Sequence, residues 1–514
     1  MAKALKSRAS KQDYLSPRQL VLSGFESPFR NQLLSTNRWV ILANSIPWDT
    51  LVSTYNRQLG NKFTGAGSIN PRVAIGALII KHLCDISDRE TILQIQENMY
   101  MQYFIGYSSF SNEAPFDASL FVDIRKRLTL EQINEINEKI LGIISKVAAD
   151  KEQSNDNNKE DEPSGNNEVA ESETGNINDS DNNNTGPAHK GSLLMDATAC
   201  PQDIAYPTDL NLLNDARERS EELIDELQVG LTTARPRTYR EIARKKYLRT
   251  AQKKKKTKKE IRKAIREQLQ YLKRNISNIH KLLEQYDKIP LRKKQYKYLL
   301  VIQTLYDQQK YMYDNRVHSV EDRIVSIHQP HVRPIVRGKT NANVEFGSKI
   351  QVSLVNGIAF LDELSWDAFN EGTRLEKSVE KYRARFGFYP KEVLADKIYC
   401  TRENRKWLKE KNIRLRAKPL GRPSSKGASS IPVRPGERNP IEGKFGQAKT
   451  AYGMNRIKAR LNQTSESWIA SIVLVLNLIN LIGEASLSLI CKFIEWIKWY
   501  ISYRNFQKIK LALT

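Results

Sequence analysis

The chain has 514 residues, room for two or three domains of about 100 to 200 residues each. Lys and Arg number 82 against 58 Asp and Glu, a net charge of +24 and a pI near 9.6, which favours a polyanionic partner held through counterion release from phosphates. Cys84, Cys200, Cys400 and Cys491 are scattered without C-x-x-C spacing, which argues against a disulfide framework and a zinc knuckle.

The opening MAKALKSRASKQDY carries charge with no apolar run behind it, so neither a secretory signal nor a lipidation site is expected. A cytoplasmic, nucleoid-associated protein with no membrane contact follows. Residues 1–29 read as a tail, and residues 30–150 carry apolar side chains at helical spacing, an all-α domain. Within it "INPRVAIGALIIKHLCDISDRETILQIQENMYMQYFIGY" breaks at "DISDRE", where Ser87 can cap a helix with Glu90 three residues on. The two helices form a helix-turn-helix-like unit, a pattern equally at home in any helical bundle. A third helix follows in "FVDIRKRLTLEQINEINEKILGIISKVAAD".

Residues 151–188 turn abruptly to Asn, Asp, Glu, Ser and Gly, a composition that cannot bury enough apolar surface to offset chain entropy. We expect an acidic linker there. Residues 189–482 then alternate strands and helices, the mark of a mixed α/β sheet. "SLLM" reads as a strand ending at Asp196; "VEFGSKIQVSLVNGIAFLDELSW" reads as a hairpin turning at Asn356-Gly357; "EVLA" is a strand ending at Asp396. Between them, about residues 236–322, a helical hairpin interrupts the domain. Its first helix carries a seam of Ile261, Ile265, Leu269, Leu272, Ile276, Ile279, Leu283 and Tyr286, ended by Pro290. That seam either packs on its hairpin partner or joins two subunits. Ahead of it lies "KKKKTKK", residues 253–259, a single-signed run that suits a solvated face or phosphate contacts alike. "SWIASIVLVLNLINLIG" is too short for a membrane span of about 20 residues and reads as a buried helix, with a further helix and tail over 483–514. His328 and His331 lack further ligands nearby and read as loop histidines.

Three acids stand out for chemistry: Asp196 and Asp396 at strand ends and Glu442 at the start of a helix in the basic stretch "RNPIEGKFGQAK". Strand ends of an α/β sheet face a cleft, and carboxylates gathered there call for hard cations such as Mg²⁺ or Mn²⁺. From pattern alone Asp203, Asp209 and above all Asp362 remain in contention. Lys397, next to Asp396, would point to the opposite face of a continuing strand.

The runs "DRIVSIHQPHVRPIVRGK", "YRARFGFYPKEVLADKIYCTRENR", "LGRP" and "RNPIEGKFGQAKTAYGMNRIKARL", with the hairpin, resemble the DDE transposases of bacterial insertion sequences, most of all those of insertion sequence family five. The resemblance implies an RNase H-like catalytic domain with Asp196, Asp396 and Glu442 as the metal-binding triad, served by two Mg²⁺ or Mn²⁺ ions. It also implies a signature of Tyr, Arg, Glu and Lys around the last acid. Arg438, Glu442 and Lys449 keep its spacing, while Pro435 stands in the place of the tyrosine. The implied activity is cleavage at terminal inverted repeats and transfer of the freed 3′-hydroxyl to target DNA. Double-stranded DNA is then the partner, held by at least a homodimer, with Arg438, Lys444, Lys449, Arg72, Lys81 and Arg89 as expected phosphate contacts. The other readings are a DNA-binding relative without chemistry and a junction-resolving nuclease.

Overall fold

A six-stranded mixed sheet lies at the centre of the computed structural model, which describes residues 33–57, 69–139, 189–336, 344–418 and 436–480. The tail 1–29, the acidic linker, Pro435 and the segment 483–514 lie outside the described residues. The strands are β1 (Ser192–Pro201), β2 (Arg333–Val336), β3 (Val344–Val355), β4 (Ile358–Ser365), β5 (Glu392–Leu394) and β6 (Arg414–Arg416). β3 pairs antiparallel with β1 on one side and with both β2 and β4 on the other, while β5 and β6 continue parallel beyond β1. The Asn-Gly turn of the β3–β4 hairpin forms as its residues require, Asn356 at φ 48° and Gly357 at φ 77°, the left-handed pair of a tight hairpin turn. Gly347 is needed for a different reason: a Cβ there would lie 2.1 Å from the carbonyl oxygen of Cys200 on β1.

Strand alternation gives the sheet two apolar faces. Leu193, Met195, Val355, Phe360 and Val393 meet α12 (Leu375–Phe386) and α13 (Arg402–Glu410). The other face carries Cys200, Ile350, Val352 and Leu361. It packs with α14 (Asn439–Ala451), α15 (462–480) and the N-terminal helices in one continuous core. Those N-terminal helices are α1 (Arg38–Ser45), α2 (Trp48–Arg57), α3 (Pro71–Cys84), α4 (Asp88–Glu97), α5 (Met99–Phe104), α6 (Phe121–Arg127) and α7 (130–139). Ser87 caps α4, its hydroxyl accepting the Glu90 N–H at 3.1 Å. The expected single third helix is instead broken at Leu128 (φ −93°, ψ 78°) into α6 and α7. Asn477 of α15 ties the layers, exchanging 2.8 Å hydrogen bonds with both the N–H and the carbonyl of Ala359 and donating to Asn137 at 3.2 Å. Being buried, these groups would each be costly left unpaired. The apolar run around α15 is therefore core, and no helix among the described residues is long and apolar enough to cross a membrane.

The insertion between β1 and β2 is larger than a hairpin: α8 (Asp209–Gln228), α9 (Arg240–Ala251), α10 (Lys258–Leu283) and α11 (Lys293–Asn315) build a core of their own. Leu269, Leu272 and Ile279 of the α10 seam are buried there, with Ile265, Ile276, Leu283 and Tyr286 packed at its margin. The seam is thus covered within the chain except at Ile261.

Candidate active site

On β1 the side chain of Asp196 alternates away from Met195 and points to the face on which α14 lies. It stands in mid-strand rather than at a strand end. The small residues that follow it keep pairing with β3 as far as Pro201, so the strand outruns the "SLLM" that marked it. Asp396 lies two residues beyond β5, its carboxylate accepting the Lys397 N–H at 2.7 Å and capping a short 3₁₀ turn over Lys397–Tyr399. Lys397 consequently opens that turn instead of continuing a strand. Glu442 occupies the first turn of α14, and Ile441 beside it is buried against the core and anchors the helix.

One side chain draws these acids together. Arg438, at the N-terminal boundary of α14, places Nη2 at 2.9 Å from Asp196 Oδ2 and 3.8 Å from Glu442 Oε1, and Nη1 at 3.4 Å from Asp396 Oδ1. Its Nε is buried without a hydrogen-bond partner among the described residues. The neighbouring Glu437 pairs with Arg416 of β6, which also reaches Glu392 of β5 at 3.4 Å, so the start of α14 is fastened to the parallel edge of the sheet. The site is a shelf: Asp196 is 17% exposed, Asp396 48% and Glu442 58%. Burial pushes the Asp196 carboxyl up, against the pull of its own Ala197 N–H and of Arg438.

Among the described residues no three His, Cys, Asp or Glu side chains stand close enough to hold one metal ion together. The guanidinium lies between the acids instead. The donor set itself fits a hard divalent cation, being three carboxylates from three elements with a single guanidinium shared among them.

The acids in contention are engaged elsewhere. Asp362 is buried and paired with Arg385 at 2.9 Å; Asp209 binds Arg323 at 2.7 Å; Asp203 binds Arg456 at 2.9 Å. Of the expected phosphate contacts, Arg72 and Lys81 are corrected by the structure, because both side chains are buried. Arg72 donates to the Phe104 carbonyl at 3.1 and 3.0 Å and lies 4.7 Å over the Trp48 ring. Lys81 donates to the Ile86 carbonyl at 2.8 Å, sits 3.2 Å from Asp88, and is pushed down to about 8, chiefly by burial. Arg89 is exposed, and Lys444 and Lys449 are half-buried on α14. Sequence reasoning missed Glu371, which raises the Asp196 carboxyl and pairs with Lys349 of β3 at 2.9 Å. Its setting "FNEG" signals only a turn. His328 accepts or donates at 2.9 Å with the Tyr298 hydroxyl, and His331 packs edge-on against Trp366.

Comparison with known proteins bears on both ends of this frame. Residues 28–127 match the family described as "Transposase domain (DUF772)" and residues 393–479 the family described as "Transposase DDE domain". A Rhizobium meliloti protein titled "Uncharacterized protein ORF8 in nfe locus" is 34% identical over 100 residues, 19% of this chain and 46% of its own length. The chain thus spans about half the length of the curated relative it matches. No solved structure matches. Two transposase-domain matches in order along one chain support the resemblance to DDE transposases of insertion sequences, while the narrower likeness to insertion sequence family five has no support from them. A DDE domain implies an RNase H-like α/β fold, and such domains generally use divalent metals and act on DNA. The matched span contains Asp396, Arg438, Glu442 and Lys449; Asp196 joins them through space.

Proposed function

We propose that the protein binds the terminal inverted repeats of an insertion sequence, cleaves phosphodiester bonds there with activated water and transfers the 3′-hydroxyl ends to target DNA. Asp196, Asp396 and Glu442 would hold the cations. The observation that carries this reading is the single guanidinium of Arg438 set among those three carboxylates. One positive charge against three acids leaves negative charge uncompensated on an open shelf, and such a shelf is stabilised by added cations. Two Mg²⁺ or Mn²⁺ ions, when bound, would supply Lewis acidity toward the phosphodiester and a lowered pKa for water.

The rest of the work belongs to side chains of this chain. Arg438, displaced from the acids, turns to the phosphate next to the cut. Lys449, two turns along α14 from Glu442, and Lys444 hold the backbone of the same duplex. Arg89, exposed at the start of α4, contacts phosphate from the N-terminal side. Two element ends are brought together by at least a homodimer.

The test compares wild type with Asp396→Asn on duplex DNA carrying the flanking element ends in Mg²⁺. Wild type nicks at the ends and the variant binds without nicking. Binding by both with cleavage by neither, across divalent metals, would reduce the protein to a DNA-binding relative of a transposase.

A further inference from the structure

The helical insertion carries far more positive charge than its fold uses. From Arg237 to Lys263 fourteen residues are Lys or Arg and two are Glu. Glu260 is already engaged, closing the capping box of α10 with Thr257 and pairing with Lys253 at 2.6 Å. Lys253 to Lys256, Lys258 and Lys259 are exposed on the α9–α10 loop and the first turn of α10. Lys254, Lys255 and Lys256 make no ion pair among the described residues. Adjacent like charges repel, and nothing in the core of the insertion needs them, since its packing rests on the opposite side of α10.

Their place in the fold gives them a use. The α9–α10 loop does not lie at the tip of the insertion; the chain folds it back to the base. A cavity of about 470 Å³ is lined together by Asp209 at the start of α8, Lys258 and Arg262 at the start of α10, and Met312 and Arg316 at the end of α11. Tyr247 of α9 donates to Asn211 of α8 at 3.1 Å, and Tyr206, just before α8, packs edge-on against Phe346 of β3. The distal end is the other one, where Tyr286 donates to the Leu227 carbonyl. The lysines therefore stand where the insertion joins the sheet, beyond the end of β1. From Asp196 to Pro201 is about 17 Å along the strand, and the connection to Asp209 adds at most about 29 Å. A duplex of one to two turns, at about 34 Å per turn, covers that span.

Resting on the transposase reading, we infer that the basic base of the insertion, centred on Lys253 to Lys256, is a phosphate-backbone clamp for the duplex whose cleavage site lies at Asp196, Asp396 and Glu442. It reads no sequence. Its contribution is affinity and the angle at which the duplex leaves the acids.

The test measures binding of the full chain to a duplex of about 40 base pairs of arbitrary sequence over a salt series without divalent metal. Wild type is compared with a variant in which Lys253, Lys254, Lys255 and Lys256 are all changed to Gln. At about 0.9 per phosphate contact, the slope of log affinity on log salt falls by about 3 to 4 in the variant, and affinity drops more than tenfold at low salt. Replacing the same four residues by Arg keeps the wild-type slope, and an unchanged melting temperature shows that folding is intact. An unaltered slope in the Gln variant overturns the clamp while leaving the transposase reading standing. Failure of wild type to bind duplex at all overturns both.

Discussion

Asp196 and Asp362 stand on neighbouring parts of one sheet, and each holds an arginine at 2.9 Å. Around Asp362 the charges are buried and matched: its side chain is 1% exposed, Arg385 is 8% exposed and is shared with Glu138, and Lys381 donates to the Asp362 carbonyl. Around Asp196 the charges do not balance. Arg438 is shared among three acids, two of them about half exposed, and its Nε has no partner among the described residues. A buried pair with its charges matched is a structural device, while an open cluster with carboxylates in excess is poised for cations. On the proposed reading, the same two residue types serve folding in one place and chemistry in the other.

The sharpest separation comes from cutting each acid. Glu442→Gln should lower cleavage by about 10³-fold or more, roughly 4 kcal/mol in the barrier, with melting temperature and duplex affinity near wild type. Asp362→Asn should do the reverse, because it leaves Arg385 buried with only the half-exposed Glu138 as its counter-charge. We expect a loss of about 3 to 5 kcal/mol in denaturant unfolding and, in whatever fraction folds, ordinary cleavage. A Glu442 variant that unfolds, or an Asp362 variant as stable as wild type, would erase the contrast.

A smaller effect probes the guanidinium itself. Removing it in Arg438→Gln leaves three carboxyl groups facing one another, so Mn²⁺ should bind the free protein about tenfold tighter by calorimetry, near 1.4 kcal/mol. Weaker Mn²⁺ binding would mean that Arg438 holds the acids in place for the metal instead of standing where the metal goes. DNA is absent from this measurement, so loss of a phosphate contact cannot imitate the result.

Much of this arrangement could be read from local signals. The Asn-Gly turn, the Ser87 cap and the α10 seam each act within a few residues, and each formed. Burial of single charged residues was not readable, since Arg72 and Lys81 look like surface cations until Trp48, Phe104 and Trp468 are folded against them. Strand length misled as well: Asp196 looked terminal because the apolar run stopped there, whereas pairing to β3 carried the strand on. The extent of the insertion escaped because α8 follows β1 after a short connection and reads as part of the α/β alternation. The meeting of Arg438 with all three acids spans more than two hundred residues of sequence, and no periodicity encodes it.

The N-terminal helices offer the mildest test, through a titration that touches neither Asp196 nor Asp362. His82 is buried, its ring edge-on to Trp468 of α15 at 5.0 Å, beside Lys81 at 4.2 Å and Arg125 at 4.8 Å from the same indole. Asp88 faces both cations. Burial first, then the charges of Lys81 and Arg125, hold His82 well below its usual 6.5. A base whose folded pKa lies below its unfolded one binds fewer protons in the native state. Its contribution is therefore complete above pH 6.5 and is lost as pH falls below it, at up to about 1.4 kcal/mol per pH unit. His331, pushed down to about 4 mainly by burial, acts with the same sign, so the informative quantity is a difference between proteins. Between pH 7 and 5 the wild-type melting temperature should fall more steeply than that of His82→Leu, which has no proton to take up. Parallel curves would show that the N-terminal helices give way from α15 before His82 has to be protonated in place.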